Sequence, residues 1–312
     1  MSVIAFVMML IASPAFADRV IIIAGKGGQA EYTKKFNGYA EQLERVLTEQ
    51  LGYEPSQVIR LRETSGDSAA QIQKAFENLL TVTSDEQIAV VYFGHGTFDG
   101  QWAKINLAGA DLRDLDLATL LDRLPARLQI FVHTGAASGP FVQKLSRANR
   151  VIITATRSGE ENHATIFPEY FIEAFGAGNE ADLDKNGEVS LLEAFDYARD
   201  HLVRFYEEAK RLRSEHPLLD DNGDGFGSET PSTTASDGRL ANCVHLKART
   251  SVAVVEPSAM NPLQKEKADL LDEIEAFKAR KGSLPEAKYR QKLEELFIRL
   301  AKLNRRIKST LP

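Results

Sequence analysis

The chain of 312 residues has one cysteine, Cys243, one tryptophan and four methionines. A single thiol excludes an intrachain disulfide framework and a cysteine-rich zinc module. An excess of positive charge is also missing. Lys and Arg total 38 against 44 Asp and Glu, a net charge of −6. That balance argues against a general nucleic-acid binder, which needs a basic face. Long apolar runs are scarce. The densest, Val3 to Ala12, is about half the ~20 residues that a membrane-spanning helix needs. With 43% hydrophobic and 26% charged residues, the chain is a globular mixture rather than collagenous or disordered. Its length suits about two domains.

The two ends read differently from the middle. After the apolar run come Ser13-Pro14 and Ala15-Phe16-Ala17. This small-x-small pattern predicts a secretory leader, residues 1–17, removed before Asp18. The expected location is periplasmic or secreted, with no integral span in the mature chain. At the other end, Tyr289, Leu293, Leu296, Leu300, Leu303 and Ile307 recur at helical seam spacing, as do Leu263, Leu270, Ile274 and Phe277. Lys281-Gly282-Ser283-Leu284-Pro285 interrupts them. The pattern predicts a coiled-coil-like antiparallel helical hairpin over 262–312. That segment holds 13 Lys and Arg against 8 Asp and Glu, a local +5 that leaves the rest at −11. It serves either as a packed appendage or as a contact for oligomerisation or a partner. Residues 216–261 read as an acidic loop and a flexible linker; within them Gly227 to Gly238, rich in Ser, Thr and Pro, reads as a flexible linker or loop.

Residues 18–215 alternate short β-branched runs with amphipathic patterns. The expected strands are Val20–Ala24, Val58–Leu61, Ile88–Phe93, Leu128–Thr134 and Val151–Ala155. Helical patterns lie near Tyr32–Leu51, Ser68–Leu80, Leu117–Leu124 and Gly139–Leu145. Such alternation predicts an α/β fold, a parallel sheet sandwiched by helices. The continuous apolar run Ile88-Ala89-Val90-Val91-Tyr92-Phe93 is what a strand covered on both faces requires. Ligands in such folds meet the carboxyl ends of the strands. Two loops there stand out: Gly94-His95-Gly96 after the third strand, and His133-Thr134-Gly135-Ala136-Ala137-Ser138-Gly139 after the fourth. Alone, the first is no more than a glycine-rich turn that carries a histidine.

The order and spacing of the pair carry more. A strand ending in His-Gly, followed about forty residues later by one ending in x-Ser-Gly, resembles the caspase/legumain superfamily of cysteine peptidases. The stretch Thr154-Ala155-Thr156-Arg157-Ser158-Gly159 resembles the Thr-Ala strand that borders the specificity pocket in legumain-type members. The likeness spans roughly residues 18–215 and is nearest to bacterial legumain-like proteins. It implies a caspase-like sheet, a histidine as general acid and base, and a cysteine two residues before Ser-Gly as nucleophile. It also implies an oxyanion site that uses the glycine after the histidine. Carried over by residue, the histidine is His95 and the oxyanion glycine is Gly96. The nucleophile position is Ala136, whose methyl group can neither ionise nor attack a carbonyl. The chain is therefore expected to be a pseudopeptidase that binds a peptide or protein. The alternative is a working hydrolase with Ser138 as nucleophile. Ser138 lies two residues past the required place, and a misplacement of about 1 Å can cost 10²-fold. Cys243 lies outside both motifs. His95 and His133 form a further candidate as a two-histidine metal site, with Asp99 near in sequence.

One more motif is local and well populated. Asp182-Leu183-Asp184-Lys185-Asn186-Gly187-Glu188-Val189-Ser190-Leu191-Leu192-Glu193 matches the twelve-residue EF-hand calcium loop. Asp182, Asp184 and Asn186 supply side-chain oxygens, Glu188 a backbone carbonyl, Ser190 a direct or water-borne contact, and Glu193 the two-oxygen clamp. Calcium is the expected cofactor, and a calcium-dependent adaptor working through the helical hairpin is a third functional reading. A second loop, Asp220-Asp221-Asn222-Gly223-Asp224-Gly225, offers Asp220, Asn222 and Asp224 as a weaker calcium set. Its twelfth position is Pro231, so the clamp is missing there.

Overall fold

The computed structural model describes residues 18–63, 68–82, 86–176, 180–248 and 286–310, and the separate positions 263, 266, 270, 273, 274 and 277. The expected leader and the interruption at 281–285 lie outside the described residues.

The elements run β1 (Arg19–Ala24), α1 (Ala30–Glu49), β2 (Val58–Leu61), α2 (Ser68–Asn78), β3 (Gln87–Phe93), β4 (Gly96–Phe98), β5 (Ala103–Ile105), β6 (Leu112–Arg113) and α3 (Asp114–Asp122). They continue through β7 (Leu128–His133), α4 (Phe141–Leu145), β8 (Arg150–Thr154), α5 (Phe167–Gly176), α6 (Leu191–Glu208) and β9 (Leu218–Asp220), and end with α7 (Glu286–Thr310). The main sheet has the order β2-β1-β3-β7-β8-β9. Its first five strands are parallel, as their sequence predicts, and β9 pairs antiparallel on the edge beside β8.

Side-chain alternation along the strands divides the core in two. Val20, Ile22, Val91 and Phe93 face a cluster with α1, α5 and α6. Ile21, Ile23, Val90 and Tyr92 face a cluster with α2, α3 and α4. All seven residues of β3 are buried. Helix α1 presents Phe36, Tyr39, Ala40, Leu43 and Leu47 to the sheet, a stripe at helical spacing.

Chain order moves from β1 outward to β2 and then returns to β3 on the other side of β1. That reversal opens a crevice at the carboxyl ends of β1 and β3. A small antiparallel sheet, β4-β5-β6, sits directly after β3. Sequence reading does not detect it, because strands of two or three residues are too short to show a period.

Of the two readings of 227–238, the flexible linker is corrected and the segment is a packed loop. Ser228 and Leu219 exchange backbone hydrogen bonds, Ser232 N–H donates to Asp237 O, and Ala241, Val244 and Leu246 are buried in the α1–α5–α6 core. The body therefore continues to residue 248. Its Ser and Thr residues sit in turns, and its few apolar residues are spaced without a period. The C-terminal segment forms its own cluster of Leu270, Ile274, Leu296, Leu300 and Leu303. Phe277 stacks on Tyr289, and Arg299 pairs with Glu273. These contacts run antiparallel, in keeping with the expected hairpin.

Candidate functional site

The two loops singled out by sequence lie side by side because β3 and β7 are neighbours in the sheet. Their backbones touch. A Cβ on Gly135 would stand 1.8 Å from Gly94 O, and one on Gly96 would stand 2.3 Å from Ala136 O. Only glycine permits this approach. His95 and Ala136 are thus carried on one continuous surface at the carboxyl edge of the sheet.

His95 is half-buried between the rings of Tyr32 and Phe36 of α1, at 4.7 and 4.9 Å, both edge-on. Its ring also hydrogen-bonds the backbone of Gly27, in the loop after β1. Burial lowers its pKa from the ordinary imidazole value, and the Gly27 bond opposes this. The imidazole is therefore neutral at pH 7, the form that accepts a proton.

The expected nucleophile position, on the neighbouring loop, is Ala136. Ala136 is 3% exposed and ends in a methyl group. The next residue, Ala137, has φ +51°, a left-handed conformation that is uncommon for a residue with a side chain. Its N–H donates to Glu161 O at 2.9 Å, in the loop after β8.

Ser138 is fully buried and turned toward Thr156. Its Oγ accepts from Thr156 N–H at 3.0 Å and lies 2.9 Å from Thr156 Oγ1. Thr156 Oγ1 accepts from Ser138 N–H and Gly139 N–H, at 2.7 and 3.2 Å. Ser138 and Thr156 thus fasten the loop after β7 to the loop after β8.

His95 and His133 are not brought together as a metal pair. His133 is fully buried on the opposite face of the sheet, against Tyr92 and Phe141 at 4.8 and 4.9 Å. Its Nδ1 accepts from Gly135 N–H at 3.1 Å. Burial pushes its pKa down to about 3, so it stays neutral and props the loop. Asp99 is engaged instead with Lys104 and the backbone of Gln101 and Trp102.

Sequence reading missed the partners that surround this surface. Glu161 accepts from the backbone and Nδ1 of His216, at 3.1 and 2.5 Å, and pairs with Arg157. Arg157 and Arg213 both reach Glu229. Beside them Glu215, almost fully buried, accepts from the N–H groups of Ile166 and Phe167 and from Tyr206 OH. Burial pushes Glu215 up to about 7 despite those bonds. Phe98 of β4 lies against Gly159 and so bridges the small sheet to the same loop. These residues are far apart in the chain, and no local pattern marks them.

The loop 182–193, expected to be of EF-hand type, lies apart from this surface, between α5 and α6. Oxygens of Asp182, Asp184 and Glu193 come within 4.8 Å of one another. Among the described residues, no other acidic, histidine or cysteine trio gathers so closely. Asp182 accepts from Asn186 N–H and Gly187 N–H, at 3.0 and 2.9 Å. Glu193 accepts from Leu183, Asp184 and Ser190, and Ser190 caps α6 in return. Burial raises the pKa of Glu193, and the Asp184 charge adds to it. Glu188 turns its side chain out to Lys247, which leaves its role to the backbone carbonyl. The donor set is all oxygen with three carboxylates, which suits a hard cation such as Ca²⁺.

In the second loop, Asp220 Oδ1 accepts from Gly223 N–H at 3.3 Å, and the Ser146 hydroxyl stands beside the carboxylate. Asn222 Oδ1 accepts from Asp224 N–H at 2.7 Å. Asp221 is spent on the backbone of Gly238 and Ala241. Asp237, which sequence reading did not single out, is buried against this loop. Burial, with repulsion from Asp220, Asp221 and Asp224, pushes it up to about 6.

Comparison with known proteins adds little to this geometry. No protein-family model matches the chain. No curated protein matches it either. Among solved structures, it is similar to caspase-1 from Spodoptera frugiperda, with a TM-score of 0.43 and 12% identity over 65% of this chain and 86% of that one. A likeness this loose says nothing about substrate or activity.

Proposed function

We propose that this protein is a secreted or periplasmic, calcium-binding pseudopeptidase of the caspase/legumain type. It binds a peptide or protein segment at the carboxyl ends of β3 and β7 without cleaving it. One observation carries the reading. The position that adjoins Gly96 and needs a nucleophile holds the methyl group of Ala136, while the neutral His95 stays in place on the neighbouring loop. The nearest hydroxyl, Ser138, is buried and committed to Thr156, which argues against the serine-hydrolase alternative. The leader-like segment 1–17 supports export, and the oxygen set of Asp182, Asp184, Asn186, Glu188, Ser190 and Glu193 supports calcium.

The test is to restore the missing group. Ala136→Cys, made together with Cys243→Ala to leave one thiol, is expected to gain turnover of peptide substrates. Adding His95→Ala should abolish that gain. Turnover of a peptide library by the unaltered protein, lost on His95→Ala, would refute the reading.

A second reading, a calcium-dependent adaptor, rests on one feature. A cleft of about 430 Å³ is lined by Leu183, Asp184 and Glu193 of the calcium loop and by Ile274, Phe297 and Leu300 of the hairpin. In that reading, calcium alters how the hairpin meets its partner.

A further inference from the structure

The second acidic loop lacks a clamp in its own sequence, because its twelfth position is Pro231. The fold brings another carboxylate to the loop from outside it. Asp237 Oδ1 accepts from Asp221 N–H at 3.3 Å, and Asn222 Nδ2 donates to the carbonyl of Ser236, the residue before it, at 3.3 Å. Segment 236–238 therefore lies along the 220–224 loop.

The charge pattern is lopsided. Asp220 and Asp237 are each 1% exposed, and Asp221 is 6% exposed. Among the described residues, none of Asp220, Asp221, Asp224 or Asp237 forms an ion pair. Burying several carboxylates without a counter-charge is costly. One atom points to what is missing. Asp220 Oδ2 is buried and has no hydrogen-bond partner, whereas buried carboxylate oxygens are almost always satisfied.

We propose that Asp220, Asn222, Asp224 and the distant Asp237 form a second divalent-cation site, in which Asp237 replaces the clamp that Pro231 cannot supply. It deepens the calcium-binding part of the proposed function but uses none of the first loop's residues. The ion supplies the positive charge that Asp220 Oδ2 lacks. The oxygens of this set are less tightly gathered than those of Asp182, Asp184 and Glu193. Binding must therefore draw them in, and the affinity is expected to be lower than at the first loop. Because Asp220 pairs with Ile152 of β8, and Gly225 N–H donates to Ser146 at the end of α4, the ion would fasten the edge strand and α4 together.

The experiment is calcium titration by calorimetry on the full chain with Asp182→Asn, which disables the first loop. One residual ion per chain is expected. Asp237→Asn in that background should abolish it or weaken it by about tenfold or more, since affinity follows the charge of the ligand set. Asn222→Ala, at an exposed position, should also weaken it. Far-UV circular dichroism checks that each variant is folded. The proposal is overturned if the Asp182→Asn chain binds no calcium, or if neither Asp237→Asn nor Asn222→Ala changes its binding. Failure of the first-loop reading looks different: Asp182→Asn alone would then leave the stoichiometry of the unaltered chain unchanged.

Discussion

Ser138→Ala separates a structural fastener from a catalytic serine. The substitution removes one oxygen from a fully buried position. It leaves Thr156 N–H, which donates to Ser138 Oγ at 3.0 Å, without an acceptor. An orphaned buried donor costs about 1–3 kcal/mol, and losing the contact with Thr156 Oγ1 adds about 1 kcal/mol. Thr156 Oγ1 keeps its two backbone donors, Ser138 N–H and Gly139 N–H, so the loss stops there. The expected destabilisation is about 2–4 kcal/mol. For a body of this size, each kcal/mol moves Tm by roughly 2–4 °C, so a fall of roughly 4–16 °C should appear by thermal unfolding. Thr156→Val leaves two buried donors, Ser138 N–H and Gly139 N–H, without their acceptor, and should cost at least as much. The double variant should fall short of additivity by about 1 kcal/mol, because the two residues share one network. In parallel, a serine-directed covalent probe should label neither the unaltered chain nor the variant. Unchanged stability on Ser138→Ala, or a probe that labels the unaltered chain and spares the variant, would falsify the fastener role.

Three glycine and pH effects follow from the same geometry. Gly135→Ala places a methyl group 1.8 Å from the backbone oxygen of Gly94, so β3 and β7 loops must part; a loss of about 3 kcal/mol or poor soluble yield is expected. Gly38→Ala is its control: on α1, with no atom within 4 Å of the new Cβ, it should stabilise by about 0.5–1 kcal/mol through helix propensity. Glu215 has a folded pKa of about 7 against 4.5 in its ordinary state. Between those values the native state holds more protons than the unfolded one, so Glu215 makes stability fall as pH rises from about 4.5 to 7. Glu215→Gln should flatten that part of the stability–pH curve. An unchanged slope in urea titrations at stepped pH would count against this assignment.

Much of the architecture could be read in the chain because its signals are local. The continuous apolar run of β3 marks a strand covered on both faces, and the 3.6-residue stripe of α1 marks its packing. The register of Asp182, Asp184, Asn186 and Glu193 is likewise a matter of counting along one segment. The missed elements have short or irregular local signals. Strands β4 to β6 span two or three residues each, and residues 227–248 pack through turns and isolated apolar side chains rather than a repeating face. The linker expectation failed for that reason.

The candidate site divides along the same line. Sequence alone determined what the Ala136 position cannot do. Ala136 has no ionisable atom in any conformation, and the single cysteine, Cys243, lies more than a hundred residues away. It also determined the two-sided burial of the central strands. Only the tertiary structure decided what each polar group does. It set His95 against Tyr32, Phe36 and Gly27 on one face of the sheet and His133 on the other. It turned Ser138 to Thr156, joined Glu161 to His216, and laid Asp237 along a loop that begins at Asp220. The physical reason is that parallel strands need long crossovers, so neighbours across the sheet come from distant parts of the chain. Periodicity reports the face a residue presents, while hydrogen-bond partners and lost counter-charges depend on which segments the crossovers bring together.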